Sequence, residues 1–175
     1  VSNVNFKKIY KGSYSNISYG QDIKKKYDFL LSLKKKSDNF QRVKRIIKFL
    51  NFKKMKYKIL DVGSGFGIFP IELSKKVKNL DIHVIEPDKN NIKFMKKFKL
   101  KVKGKFIENF KSKEKYDLIT LNKVIEHINN PENILKKLNK NMLKNSIIYI
   151  EVPDGEGAAK SKEGLFREEF FVDHH

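Results

Sequence analysis

The sequence predicts an α/β fold in which a doubly wound, mostly parallel sheet carries helices on both faces. Two observations predict it. From Lys58 onward, short apolar strands alternate with helical segments, as in repeated βαβ units. The first strand also runs into a turn with glycines at 63, 65 and 67, directly before a helix. With 175 residues, of which 39% are hydrophobic and 34% charged, the chain is long enough for one such domain.

Residues 1–57 are predicted to form an arm and a helical cap. The first 20 residues are rich in Ser, Asn, Gly and Tyr and have no clear period, which indicates an irregular arm. Apolar residues at helical spacing predict a helix over residues 22–36 and a second helix after the break at residues 37–39. The apolar stripe of the second helix consists of Phe40, Val43, Ile47 and Leu50.

Residues 58–153 are predicted to contain five strands and three helices. The strands cover residues 59–62, 82–86, 105–107, 116–121 and 146–152. The helices cover residues 66–77, 88–98 and 130–142, and the last begins with Asn130 at the N-cap and Pro131 at the first helical position. Residues 154–175 follow as an acidic tail.

The net charge of +19 comes almost entirely from lysine. Only three of the 39 basic residues are arginine, and the abundance of asparagine and isoleucine alongside lysine is typical of AT-rich codon usage. Arginine is the residue preferred for bidentate contacts with phosphates and bases. We therefore expect no nucleic-acid partner and lysines scattered over all outer faces.

Several classes of protein are excluded by composition. The absence of cysteine excludes disulfide scaffolds, thiolate metal sites and cysteine nucleophiles. The longest apolar run, residues 147–150, is far shorter than the roughly 18 residues of a membrane span. Residues 1–8 lack the apolar region of a secretory signal. We expect a cytoplasmic protein without a membrane span.

The glycine turn and an acid downstream of it predict a site for an adenosine-containing ligand. Glycines allow a tight turn and close approach to a ligand, and the N–H groups of the helix start attract an anionic group. Glu86 ends the second strand, where a carboxylate can accept hydrogen bonds from both hydroxyls of a ribose. A nicotinamide fingerprint would need glycine in place of Ile68, and the sequence has no Gly-Lys-Ser/Thr of a P-loop.

The run Asp61-x-Gly-x-Gly-x-Gly67 resembles motif I of the class I S-adenosylmethionine-dependent methyltransferases. Later segments resemble further motifs of that family in the same order: residues 84–88, 106–110, 116–128 and 148–153. The resemblance covers residues 58–153 and implies a Rossmann-like fold with S-adenosylmethionine as the cofactor. Because the full family fold has seven strands, we expect strands 6 and 7 to be missing and the tail, residues 154–175, to be truncated.

The resemblance implies a cofactor site at the carboxyl ends of the strands. Asp61 approaches the amino group of the cofactor, Glu86 holds the ribose, and Asn122 lies beside the sulfonium. Glu108 and Asn109 flank the adenine, with a solvated turn as the alternative. The full set of implied cofactor-binding residues is Asp61, Gly63, Ser64, Gly65, Gly67, Glu86, Pro87, Glu108, Asn109 and Asn122.

His127, with Glu126 before it, is the candidate catalytic residue. A base is needed only where the acceptor must lose a proton, and a neutral imidazole suits that role near pH 7. The alternative is that both side chains fix the loop after the fourth strand. His83, in the middle of the second strand, is expected to be structural, and no metal site is expected.

The expected acceptor is a small molecule, with a sugar or glycan precursor suggested by a further resemblance near the C-terminus. Tyr10, Tyr14 and Tyr19 of the arm are candidate acceptor contacts or anchors of the arm on the core. An RNA methyltransferase that uses the lysine-rich cap is one alternative, and a non-catalytic cofactor-binding module is another. An unpaired sheet edge after the fifth strand would also allow a homodimer.

Overall fold

The computed structural model of the chain describes residues 22–50, 53 and 55–154. The three arm tyrosines and the acidic tail beyond residue 154 lie outside the described residues. The predicted division into arm and cap (1–57), core (58–153) and tail (154–175) stays a prediction. Within the described part of the chain, no helix is both long and apolar enough to cross a bilayer.

Among the described residues, five parallel strands form one sheet in the order β3-β2-β1-β4-β5. The strand order reverses at β1, and in open sheets of this kind ligands bind beyond the carboxyl ends at such a point. The predicted fold class is confirmed. The strands are β1 (Tyr57–Val62), β2 (Leu80–Ile85), β3 (Lys101–Gly104), β4 (Tyr116–Asn122) and β5 (Met142–Glu151).

In the described part of the chain, five α-helices and three short 3-10 turns connect and precede the strands. Asp88 caps α4 by accepting the backbone N–H groups of Asn90 and Asn91, and Asn130 caps α5 by accepting that of Asn133. The helices are α1 (Ile23–Ser32), α2 (Asp38–Leu50), α3 (Ile68–Lys76), α4 (Lys89–Lys96) and α5 (Pro131–Asn139). The 3-10 turns are Lys34–Lys36, Ile107–Asn109 and Ile125–His127.

The two faces of the sheet pack against different helices, as in a doubly wound fold. One face, including Ile59 and Leu118, lies in a buried cluster with residues of α1, α2, α3 and α4. The other face, including Leu60 and Ile119, packs against α5 and the Ile107–Asn109 turn. Since both faces are covered, apolar residues stand next to one another in the central strands, as at residues 59–60 and 118–119, and the buried polar residues among them need hydrogen-bond partners.

The third strand lies earlier than the sequence predicts. The prediction placed it at residues 105–107, whereas β3 covers Lys101–Gly104 and residues 107–109 form a 3-10 turn. In β3 only Val102 packs on the core, between two exposed lysines, so the strand has little apolar signal. Ile107, which the apolar pattern assigns to the strand, is instead buried as part of the 3-10 turn.

Two helical predictions also differ from the structure. The first helix ends at Ser32 instead of residue 36, and Lys34 takes a left-handed backbone with φ 47°. In α2 the predicted Val43 is buried and the predicted Ile47 and Leu50 pack, partly buried, against the core, but Ile46 is buried as well. Arg42 is also buried on this helix, and its guanidinium pairs with an acid of β5.

A buried polar pair joins β2 and β4. Nδ1 of His83 lies 3.0 Å from the hydroxyl oxygen of Tyr116, and the two residues are 1% and 0% exposed. Burial lowers the pKa of His83 and raises the pKa of Tyr116 to about 12. The neutral pair therefore belongs to the packed core, which agrees with a structural role for this histidine.

We expect Tyr116→Phe to lower the free energy of unfolding by about 1–3 kcal/mol, because it leaves one nitrogen of His83 buried without this partner. Chemical denaturation at pH 7 measures the change. Tyr27→Phe is the control: the Tyr27 hydroxyl donates to Glu72, which also pairs with Lys75 at 2.8 Å and keeps that partner. Equal losses in the two variants would contradict a special role for the buried pair.

Candidate functional site

Polar residues meet at the carboxyl edge of the sheet because the strands are parallel and in register. Asp61 of β1 lies opposite Thr120 of β4, and Asn122 of β4 lies opposite Glu151 of β5. Glu86 follows the last residue of β2 directly. The alignment brings together three predicted site residues, Asp61, Glu86 and Asn122, at one end of the sheet.

A glycine turn connects β1 to α3 and forms the floor of this edge. Gly63, Gly65 and Gly67 all have left-handed backbones, with φ values of 65°, 54° and 83°. The N–H groups of Gly63 and Ser64 donate to the carbonyl of Ile85, at 2.9 and 3.3 Å. The turn is thereby fixed to the end of β2, next to Glu86.

The three glycines differ in what surrounds them. A Cβ on Gly63 would lie 2.5 Å from Cγ2 of Val124, and one on Gly67 would lie 2.5 Å from Cγ of Met95. A Cβ on Gly65 would meet no atom within 4 Å. Packing therefore explains the first and third glycines, whereas Gly65 faces open space that a ligand can enter.

Asp61 is a buried carboxyl group, only 1% exposed, at the end of β1. Its Oδ1 atom accepts a hydrogen bond from Oγ1 of Thr120 at 2.6 Å and another from Nδ2 of Asn122 at 3.2 Å. Burial raises its pKa to about 6, and these donors together with the positive charge of Arg42 limit the rise. Near neutral pH the group can therefore carry a negative charge inside the protein.

Glu86 is the second buried carboxyl group, at 4% exposure. Oε2 accepts the N–H of Gly65 at 2.8 Å, and Oε1 accepts the N–H of Asp88 at 3.0 Å and Nδ2 of Asn91 at 3.2 Å. Burial raises its pKa to about 7, against the effect of these donors. The carboxyl group is thus held against the glycine turn by three donors from separate positions.

Glu151, at the end of β5, is an acid that sequence reasoning missed. Its carboxylate accepts hydrogen bonds from both arginines of α2, with Arg42 Nε at 3.1 Å and Arg45 Nη2 at 2.9 Å, and from the Tyr149 hydroxyl at 2.7 Å. Burial favours its neutral form, but these donors outweigh burial and hold its pKa down at about 2. The concentration of two of the three arginines of a lysine-rich chain in α2 was the available signal.

The segment after β4 carries the candidate catalytic residues. Lys123 has a left-handed backbone, φ 55°, and its N–H donates to the carbonyl of Glu151 at 2.8 Å. Glu126 and His127 follow on the Ile125–His127 turn, and their side chains approach to 4.0 Å. The structure therefore places the histidine close after the end of β4, on the same edge as the buried acids.

The predicted adenine contacts lie on a surface turn. Glu108 and Asn109 are both exposed on the Ile107–Asn109 turn. Nζ of Lys137 donates to the backbone carbonyl of Glu108 at 2.7 Å and so ties the turn to α5. Pro87 is half-buried between Glu86 and the N-cap of α4. The ligand roles of these residues stay predictions.

Comparison with families and curated proteins points to one kind of enzyme. A family model described as a methyltransferase domain matches residues 24–170. The ubiquinone biosynthesis O-methyltransferase of Pelagibacter ubique (strain HTCC1062) is 35% identical over 101 residues, which cover 53% of this chain and 40% of that protein. The match thus spans well under half the length of this curated relative.

Solved structures share the fold. The plantazolicin methyltransferase BpumL, crystallised with a monoazolic desmethylPZN analog and SAH, has a TM-score of 0.68 at 23% identity, covering 90% of this chain and 62% of that one. Coclaurine N-methyltransferase, bound to N-methylheliamine and SAH, has a TM-score of 0.59 at 19% identity, covering 65% and 35%. At such identities the likeness shows the fold.

Substitutions in the glycine turn distinguish the glycine required for packing, Gly67, from the one that faces a ligand, Gly65. We expect Gly67→Ala to destabilise the fold strongly, since the new methyl would overlap Met95 in addition to straining the backbone. Gly65→Ala should cost only the left-handed backbone penalty, about 1–2 kcal/mol. Thermal unfolding of both variants measures the difference, and calorimetry should show that folded Gly65→Ala binds SAH more weakly than the wild type. Undiminished SAH binding by Gly65→Ala would contradict the assignment of this space to a ligand.

Proposed function

This chain belongs to the methyltransferase domain family, and we propose that it transfers the methyl group of S-adenosylmethionine to a small-molecule acceptor. The family and the fold class predicted from the sequence are confirmed. The observation that carries the proposal is Glu86, a buried carboxyl group held against the glycine turn by the N–H of Gly65. An acid at the end of β2 beside such a turn suits the two hydroxyls of a ribose.

The residues at this edge fit the proposed cofactor. Gly65 faces open space, as a backbone that approaches a ligand should. The Oδ1 atom of Asn122 is buried and has no hydrogen-bond partner within the described part of the chain. A buried acceptor without a donor is costly, and a ligand that brings N–H or O–H groups would satisfy it. Asp61, whose carboxyl group binds Nδ2 of the same amide, suits a cationic amino group.

When bound, S-adenosylmethionine supplies an electrophilic methyl group on a sulfonium leaving group. The contribution of this chain is then mainly positioning, which can lower a barrier by roughly 7–11 kcal/mol. We propose that Glu86 accepts hydrogen bonds from the ribose and that Asp61 accepts one from the amino group. His127, on the turn after β4, accepts the proton of an acceptor hydroxyl at an imidazole nitrogen.

We propose a hydroxylated small molecule as the acceptor. The curated relative is by name an O-methyltransferase, and it is 35% identical over 101 residues. A hydroxyl group must lose its proton during methylation, and His127 on the turn after β4 would be the general base that accepts it. The sugar or glycan precursors predicted from the sequence are one class of such molecules.

We further propose that the lysine-rich surface is not a nucleic-acid site. Described lysines pair with acids on separate parts of the molecule: Lys24 with Asp28 on α1, Lys101 with Asp81 at the amino edge of the sheet, and Lys136 with Glu132 on α5. This distribution favours the interpretation that the lysines are scattered and does not support one continuous basic groove.

Glu86→Gln should weaken SAH binding at least tenfold. The substitution keeps the size of the side chain but removes the negative charge and one acceptor oxygen, and charge-assisted hydrogen bonds are worth about 1.5–3 kcal/mol each. Isothermal titration calorimetry measures the dissociation constant. Glu132→Gln, on the exposed surface of α5 and outside the site, is the matched control for loss of a glutamate charge. Unchanged affinity in Glu86→Gln would sink the ribose assignment.

The affinity for SAH should rise about tenfold between pH 6 and pH 8 in the wild type. Because burial raises the pKa of Glu86 to about 7, the carboxylate that accepts the ribose hydroxyls is mostly protonated at the lower pH. The same titration on Glu86→Gln should keep only the weaker dependence near pH 6 that comes from Asp61. A pH profile identical in both proteins would show that another group is responsible.

His127→Ala should slow methyl transfer to a hydroxyl acceptor by about 10²–10⁴-fold while leaving SAH affinity within twofold. SAH release from S-adenosylmethionine, followed over a panel of small polyols and phenols, measures the rate, and calorimetry measures the affinity. Glu126→Gln tests the second candidate on the same turn, and Glu132→Gln on α5 serves as the control outside the site. A variant that retains full turnover would show that the acceptor needs no base from this position.

A further inference from the structure

Thr120 is a buried polar residue in the middle of an apolar strand. It is 0% exposed, and its neighbours Ile119 and Leu121 are equally buried in the sheet. In register, Thr120 lies directly opposite Asp61 on β1. Its hydroxyl donates to Oδ1 of Asp61 at 2.6 Å. Burying a hydroxyl group costs free energy unless it is hydrogen-bonded, and the Thr120 hydroxyl makes its hydrogen bond to Asp61.

The hydrogen bond from Thr120 stabilises the ionised form of the buried Asp61 carboxyl group. Asn122, also from β4, donates to the same oxygen at 3.2 Å, and Ser64 of the glycine turn and the positive charge of Arg42 also favour the ionised form. Burial opposes ionisation of Asp61, and the hydrogen bond from Thr120 lowers the pKa more than any other neighbouring group does. Two donors from one strand on one oxygen also restrict rotation of the carboxyl group about its Cβ–Cγ bond.

We propose that Thr120 is a positioning residue that holds the Asp61 carboxylate in the orientation in which it binds the amino group of the cofactor. The inference rests on the proposed function, in which Asp61 has that partner. Thr120 touches neither ligand nor reacting atoms in this account and acts only through Asp61. Its effect should therefore depend on whether the ligand has an amino group.

Two ligands separate this role from a general structural one. SAH contains both the adenosine and the amino acid portion, whereas 5′-methylthioadenosine contains the adenosine without the amino group. We expect Thr120→Val, which conserves shape, to weaken SAH binding roughly tenfold at pH 7 and to leave 5′-methylthioadenosine binding within twofold. Thr120→Ser, which keeps the hydroxyl, should restore most of the loss. Glu86→Gln should weaken both ligands, because both contain the ribose.

A second measurement requires no ligand. The pKa of Asp61, followed by carboxyl ¹³C NMR titration of the free protein, should rise in Thr120→Val because a donor to the ionised form is lost, and should return toward the wild-type value in Thr120→Ser. Equal weakening of both ligands in Thr120→Val, or an unshifted pKa of Asp61, would overturn the proposal. If the wild type bound neither ligand, the proposed function itself would fail, while the NMR titration would still judge the dependence of Asp61 on Thr120.

Discussion

Two carboxyl groups buried at one edge of the sheet, Asp61 and Glu86, require hydrogen-bond donors, and much of the local structure supplies them. A carboxylate out of water is tolerated only when its oxygens are satisfied. The glycine turn provides one backbone N–H, the start of α4 provides another together with an amide, and β4 provides a hydroxyl and an amide. These donors come from three segments that the parallel sheet, with its observed strand order, brings to the same edge.

The cap helix α2 is attached to this edge of the sheet by ion pairs as well as by apolar packing. Its apolar residues Val43 and Ile46 lie in the core beneath the sheet, while Arg42 and Arg45 reach the carboxylate of Glu151 on the last strand. A buried ion pair is costly to break from one side because the remaining charge loses its partner. The cap is therefore attached at a defined point next to the site, and Arg42 also lowers the pKa of Asp61 from there.

Local patterns in the sequence account for the parts of this fold that were predicted. β1, the glycine turn and Glu86 lie within one short stretch in which periodicity, glycine spacing and the position of an acid all agree. The predicted position of β3 is wrong because Val102 is its one apolar residue, too few for an alternating pattern to be recognised. The sequence pattern does not predict the roles of Thr120 and Glu151, since their partners Asp61 and Arg42 lie 59 and 109 positions away in the chain. Such contacts follow from strand order, which periodicity alone does not specify.

The pairing of β4 with β5 contains an irregularity at the end of the sheet opposite the site. Tyr116 pairs with Met142, yet Leu118, two residues later, pairs with Ile147, five residues later. The additional residues form an exposed bulge in which Asn145 has a left-handed backbone. The ladder between β4 and β5 thus continues on both sides of three additional residues in β5. Peptide tags or fluorescent labels inserted there would sit a full strand length from the carboxyl edge and would report on the molecule without obstructing it.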